Sequence, residues 1–86
     1  MLKKTVLAAL NEQVNAELHS AYVYLGMSAW CEGKNLPGFA GWMRKQFGEE
    51  QAHALKLYDY VLDQGGEVAL KPIAGAPVAY KNLQDV

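Results

Sequence analysis

The stretch that decides the fold is Gln46-Phe47-Gly48-Glu49-Glu50-Gln51-Ala52-His53-Ala54. On a helix, Glu50 and His53 stand three residues apart and project from nearly the same face, where a carboxylate and an imidazole can share a metal ion. The neighbours of Glu50 at one and two turns are Met43, Gln46, Phe47, His53, Ala54 and Leu57, with Val61 a turn beyond. They form an apolar stripe that points inward and that Glu50 and His53 interrupt. Burying an unpaired carboxylate costs on the order of several kcal/mol, so a sequence that places one there usually supplies a partner. The spacing alone leaves two readings open. One is a metal-binding pair; the other is a buried Glu-His hydrogen bond, or a stripe lying at a wet edge.

Upstream, Val6, Leu7, Leu10, Val14, Leu18, Ala21, Leu25 and Ser28 repeat with a helical period, and no proline interrupts them. They predict a first helix from about residue 3 to about 33, a rod of roughly 45 Å. Glu17 lies on its apolar face, between Leu10 and Val14 on one side and Ala21 and Tyr24 on the other. An ordinary exposed glutamate at the border of the stripe is the competing reading. Gly33-Lys34-Asn35-Leu36-Pro37-Gly38 offers a glycine to end this helix, an asparagine to cap the next and a proline tolerated in a first turn. So short a connection makes the two helices antiparallel neighbours. The second is expected from about 36 to 64, ending at Gly65-Gly66. Glu17 and Glu50 then sit near the middle of their rods and meet at the same height, which tells more than either residue alone.

From Glu67 to Tyr80 no period persists, and Pro72, Gly75 and Pro77 punctuate the chain. An extended segment packed along the outside of the hairpin is expected, followed by a helix start at Asn82-Leu83-Gln84-Asp85. The whole of 1–86 reads as one small all-α domain. Two helices of this length cannot enclose a core unaided, so the chain is expected to associate. Net charge is −1 and the basic residues are scattered, which gives no sign of a nucleic-acid groove or a polybasic membrane patch. Cys31 is the only cysteine, excluding an internal disulfide and fitting a reducing compartment. Met1-Leu2-Lys3-Lys4 runs into an amphipathic stretch broken by Asn11, Glu12 and Gln13, unlike a signal peptide, and no apolar run nears the roughly 20 residues that span a bilayer. A cytoplasmic protein is expected.

Asn11-Glu12-Gln13 with Glu17, Ser20-Ala21-Tyr22, Met27-Ser28-Ala29-Trp30, Gly38-Phe39-Ala40 and Glu49-Glu50-Gln51-Ala52-His53-Ala54 strongly resemble the first two helices of non-haem bacterial and archaeal ferritins. The resemblance extends through the crossover, with Pro77 and Tyr80, and covers about the first half of a ferritin subunit. It implies that Glu17 binds a first iron, Glu50 bridges two irons, His53 completes the first site and Tyr24 stands beside the centre. Glu49 is implied as a ligand for a third iron in some members, beside its reading as an exposed glutamate. No haem is expected, because Gln51 stands near the point where bacterioferritins carry a haem-ligating methionine, and Met27 and Met43 read as core.

A full ferritin subunit adds two further helices whose carboxylates complete the second iron site. Ferritin-like bundles take one Glu from each of two helices and Glu-x-x-His from each of the other two. One copy of this chain supplies one of each, so two copies about a twofold axis complete a four-helix bundle and a di-iron centre, with a higher homo-oligomer beyond it. The implied activity is Fe(II) oxidation, a ferroxidase linked to iron storage or detoxification. Zinc or manganese suits the same ligands. The alternatives are a structural hairpin that oligomerises, a metal-binding protein without turnover, and a fragment acting beside a separate second half. Tyr24 also reads as a core tyrosine, His19 as a surface or interface histidine and Cys31 as structural. Trp30, Trp42, Tyr22, Tyr58 and Tyr60 are too many large groups for a two-helix seam, so some must face other subunits or the tail.

Overall fold

A computed structural model describes residues 2–81. Helix α1 runs Lys4–Gly33 and helix α2 runs Pro37–Asp63, each within a residue of its expected bounds. They pack side by side as an antiparallel hairpin of 49 × 19 × 16 Å. The segment Asn82-Leu83-Gln84-Asp85, expected to start a helix, lies outside the described residues.

Both helices close in the same way. At the end of α1 the Asn35 N–H donates to the Glu32 carbonyl at 3.0 Å and the Leu36 N–H to the Cys31 carbonyl at 2.9 Å. At the end of α2 the Gly65 N–H donates to Leu62 at 3.0 Å and the Gly66 N–H to Val61 at 2.9 Å. This crossed pair satisfies the last carbonyls and requires a left-handed residue at the reversal, here Asn35 with φ 60° and Gly65 with φ 76°. Asn35 therefore ends α1 and does not cap α2. The N-cap position of α2 is Leu36, without a side-chain cap, and Pro37 opens the helix. With so few residues to reverse the chain, the left-handed position falls on Asn35, and asparagine tolerates it better than most residues.

The seam buries Val14, Ala21 and Cys31 from α1 against Ala40, Met43, Ala54 and Val61 from α2. Three of these seven are alanine, so the helices approach closely but bury little apolar surface each. Much of the remaining hydrophobic surface stays open, with Phe39, Trp42, Leu55 and Tyr60 about half exposed.

The tail packs on the outside of the hairpin, along α1 and in the same direction as it. Gly66 lies so close to α1 that an added Cβ would stand 2.9 Å from Leu7 Cδ1. The Asn11 amide then donates to the Glu67 carbonyl at 3.0 Å, and its oxygen accepts from the Ala69 N–H at 2.9 Å. Asn15 repeats the pattern one turn on, donating to the Ala69 carbonyl at 2.9 Å and accepting from the Lys71 N–H at 2.8 Å. Four helical residues advance about 6 Å and two extended residues about 6.6 Å, so asparagines four apart meet alternate tail residues. Further along, Ala76 and Pro77 lie against Gly26, and Tyr80 packs edge-on against Trp30 with ring centres 5.5 Å apart. Among the described residues, no helix is long and apolar enough to cross a membrane.

Candidate metal centre

The hairpin brings Glu17 from the middle of α1 to the same height as Glu50 and His53 from the middle of α2. One oxygen or nitrogen from each lies within 4.8 Å of the others. His53 Nδ1 is 3.7 Å from Glu17 Oε2 and 4.0 Å from Glu50 Oε2. These separations are longer than a hydrogen bond. They suit donors on one ion: first-row divalent ions hold oxygen and nitrogen at about 2.0–2.2 Å, so ligands on one ion stand up to about 4.4 Å apart. Two carboxylates with one imidazole form a hard-to-borderline donor set that fits iron, and equally zinc or manganese.

Neither carboxylate is fully enclosed. The Glu17 and Glu50 side chains are 19% and 21% exposed, whereas His53 is 61% exposed. The pair divides its protons unequally. Glu50 is held above the usual carboxylate range mainly because it gives a hydrogen bond to Glu17, with burial and the Glu17 charge adding to the effect. Glu17 is held below that range mainly by accepting this bond, helped by the Gln13 amide and by His53 and opposed by burial. The two shifts are opposite in sign, as expected where two carboxyls lie side by side.

Glu49 lies outside the cluster. Tyr24 packs edge-on against Trp42, ring centres 6.5 Å apart, and Glu49 is an exposed neighbour whose charge contributes a little to the raised Glu50. His19 lies at the surface and Cys31 in the seam. Of the five aromatics expected to exceed the seam, Trp30 meets the tail, and Tyr22, Trp42 and Tyr60 are about half exposed. Sequence reasoning passed over the Gln13 amide, which donates to Glu17 Oε1 at 2.7 Å. The four-residue spacing of Gln13 and Glu17 was the available signal.

The sequence matches the family model for the ferritin-like domain over residues 7–86. A bacterial non-heme ferritin of Staphylococcus epidermidis is 40% identical over 83 residues, which are 96% of this chain and 50% of that protein. Its counterpart in Staphylococcus aureus is 32% identical over the same shares. Among solved structures, the open-pore ferritin of the hyperthermophilic archaeon Archaeoglobus fulgidus superposes with a TM-score of 0.94 at 38% identity, over 99% of this chain and 52% of that one. A humanized archaeal ferritin gives 0.95 at 36% identity and the same coverage. The chain belongs to the ferritin-like family, and its fold is the first helical hairpin of the ferritin four-helix bundle. It spans about half the length of the curated relatives that it matches.

Proposed function

We propose that the chain binds Fe(II) and oxidises it to Fe(III) at a di-iron centre completed by two further helices, supplied in the simplest case by a second copy of the chain. The observation that carries this reading is the convergence of Glu17, Glu50 and His53 at mid-height, with the imidazole open on one side. Phe39, Trp42 and Tyr60 lie on the same face of α2 as His53, by their spacing of 3, 14 and 21 residues from Phe39. All three are about half exposed. A twofold axis crossing the hairpin at the height of Glu17 and Glu50 superposes two copies of the donor set and covers this apolar face. The bundle then holds four carboxylates and two imidazoles.

In that centre Glu17 and His53 bind one iron and Glu50 bridges to the next. Binding favours the ionised form of both carboxyls. Each Fe(II) gives up one electron; one dioxygen takes two electrons and two protons to become hydrogen peroxide, or peroxide takes two electrons and two protons to become two waters. A pair of irons thus meets the two-electron demand of either oxidant. Tyr24, with its ring centre 6.5 Å from that of Trp42, takes its place beside the centre as packing and a phenol donor. Glu49, exposed beside His53, is a further ligand for arriving or departing iron. Release of Fe(III) into a store, and assembly beyond the dimer, extend the same reading.

The test is Fe(II) oxidation under air, measured with particle mass by light scattering. The expected result is a particle of two chains or a multiple of two, binding about two irons per pair as the four-helix arrangement requires. Rapid oxidation should be lost in Glu50→Ala with helicity retained. Oxidation at the wild-type rate in Glu50→Ala overturns the assignment, and an assembly that leaves Fe(II) at its buffer oxidation rate favours a structural hairpin.

A further inference from the structure

Three side-chain amides lie within five residues of α1: Asn11, Gln13 and Asn15. Asn11 and Asn15 are committed to the backbone of the tail. Gln13 projects from a different face, and its amide donates to Glu17 Oε1 at 2.7 Å. The other oxygen, Glu17 Oε2, is the one turned toward His53, at 3.7 Å. The two oxygens of one carboxylate are therefore distinguished by their surroundings.

Resting on the metal-site reading above, we propose that Gln13 is a positioning residue that fixes the Glu17 carboxylate so that Oε2 alone is presented to a metal ion held with Glu50 and His53. A glutamate leaves its terminal torsion broad and roughly two-fold. A hydrogen bond from a residue one turn earlier on the same helix selects one orientation of the carboxylate plane. The chemistry of the donor matters. An arginine or lysine at position 13 would pair its charge with Glu17 and compete with a bound cation, whereas a neutral amide orients the oxygen and leaves the negative charge for the metal. Partners that orient metal ligands in this way typically change metal affinity by about 10- to 100-fold when removed.

Co(II) tests this on the full-length chain, with affinity read by calorimetry and ligand geometry by the visible absorption band. Gln13→Met keeps the length of the side chain and removes the donor. It should weaken Co(II) binding by about 10-fold or more and alter the band, at unchanged helicity. Gln13→Arg restores a donor, so it should recover the band shape while binding less tightly than wild type. Wild-type affinity and band in Gln13→Met overturn the proposal, as does a Gln13→Arg band as altered as that of Gln13→Met. Glu50→Ala in the same titration separates the two readings. If it loses Co(II) and Gln13→Met does not, only the positioning role falls; if it keeps wild-type binding, the metal site falls and the positioning role with it.

Discussion

Replacing Asn15 by Ala tests how the tail is held. The side chain makes two bonds to the tail, to the Ala69 carbonyl at 2.9 Å and from the Lys71 N–H at 2.8 Å. Each is open to solvent, so each contributes at the low end of the usual range, about 0.5–1 kcal/mol. Alanine returns about 0.5 kcal/mol through its better helix propensity, but that gain accrues to α1 and not to the attachment of the tail. Local opening of the tail should therefore become easier by about 1–2 kcal/mol, which is about a 5- to 30-fold rise in exchange. Amide hydrogen exchange resolves it residue by residue. Lys71 loses its acceptor directly and should accelerate most. Ala69 keeps its bond to Asn11 Oδ1 and should accelerate less. Asn11→Ala should reverse that order. Because exchange reads local opening, the result does not depend on the association state of the chain. Unchanged exchange at Lys71 in Asn15→Ala would refute the asparagine ladder as the tail's attachment.

Two glycines of α2 and its end should respond to alanine with opposite signs. At Gly66 an added Cβ meets Leu7 Cδ1 at 2.9 Å, Val61 Cγ1 at 3.1 Å and the Val61 carbonyl at 3.2 Å, so Gly66→Ala should cost about 1–3 kcal/mol. At Gly48 the space is open, and Gly48→Ala should gain about 0.5–1 kcal/mol, both measured by urea unfolding at one protein concentration. In chelator, the opposed shifts of Glu17 and Glu50 shape stability against pH. The raised Glu50 contributes below its unfolded pKa and loses that contribution as pH rises through its folded value. The lowered Glu17 contributes above its unfolded pKa and loses that contribution as pH falls through its folded value. Urea midpoints should therefore peak in the mildly acidic range that brackets ordinary carboxylates, and Glu50→Gln should flatten the decline on the alkaline side. Divalent ions should stabilise the fold by about 2.7 kcal/mol at a hundredfold excess over the dissociation constant, seen as a higher midpoint in thermal scanning, with the gain lost in Glu50→Ala.

The hairpin was legible because its signals were local. The periodic run from Val6 to Ser28, the Gly33–Gly38 punctuation and Gly65-Gly66 placed both helices within a residue. The meeting of Glu17 with Glu50 and His53 followed from rod length and a short turn. Two features were not legible. Asn35 looked like a cap because asparagine favours both caps and left-handed turns, and only the crossed hydrogen bonds at the end of α1 decide between them. Asn11 read only as part of a polar break with Glu12 and Gln13, and Asn15 carried no signal of its own, because their partners lie 54 to 58 residues away and become visible only when the register of the tail is known.

The centre and the exposed face solve one problem together. A hairpin whose seam is rich in alanine has little apolar burial to offset two carboxylates on its inner stripe. In the proposed dimer a second copy would double the acids while excluding the water that screens them, so bundle closure without cations would concentrate like charge in a drier space. In that proposed assembly a divalent ion would reverse the sign of the contribution, since it pairs with both carboxylates at once. In the proposed dimer, burial of Phe39, Trp42 and Tyr60 would favour assembly whether or not metal is present, and the Glu17, Glu50 and His53 cluster would make its completion depend on the ion. If the proposed dimer forms, metal binding and dimerisation are linked equilibria, and each must strengthen the other by the same factor.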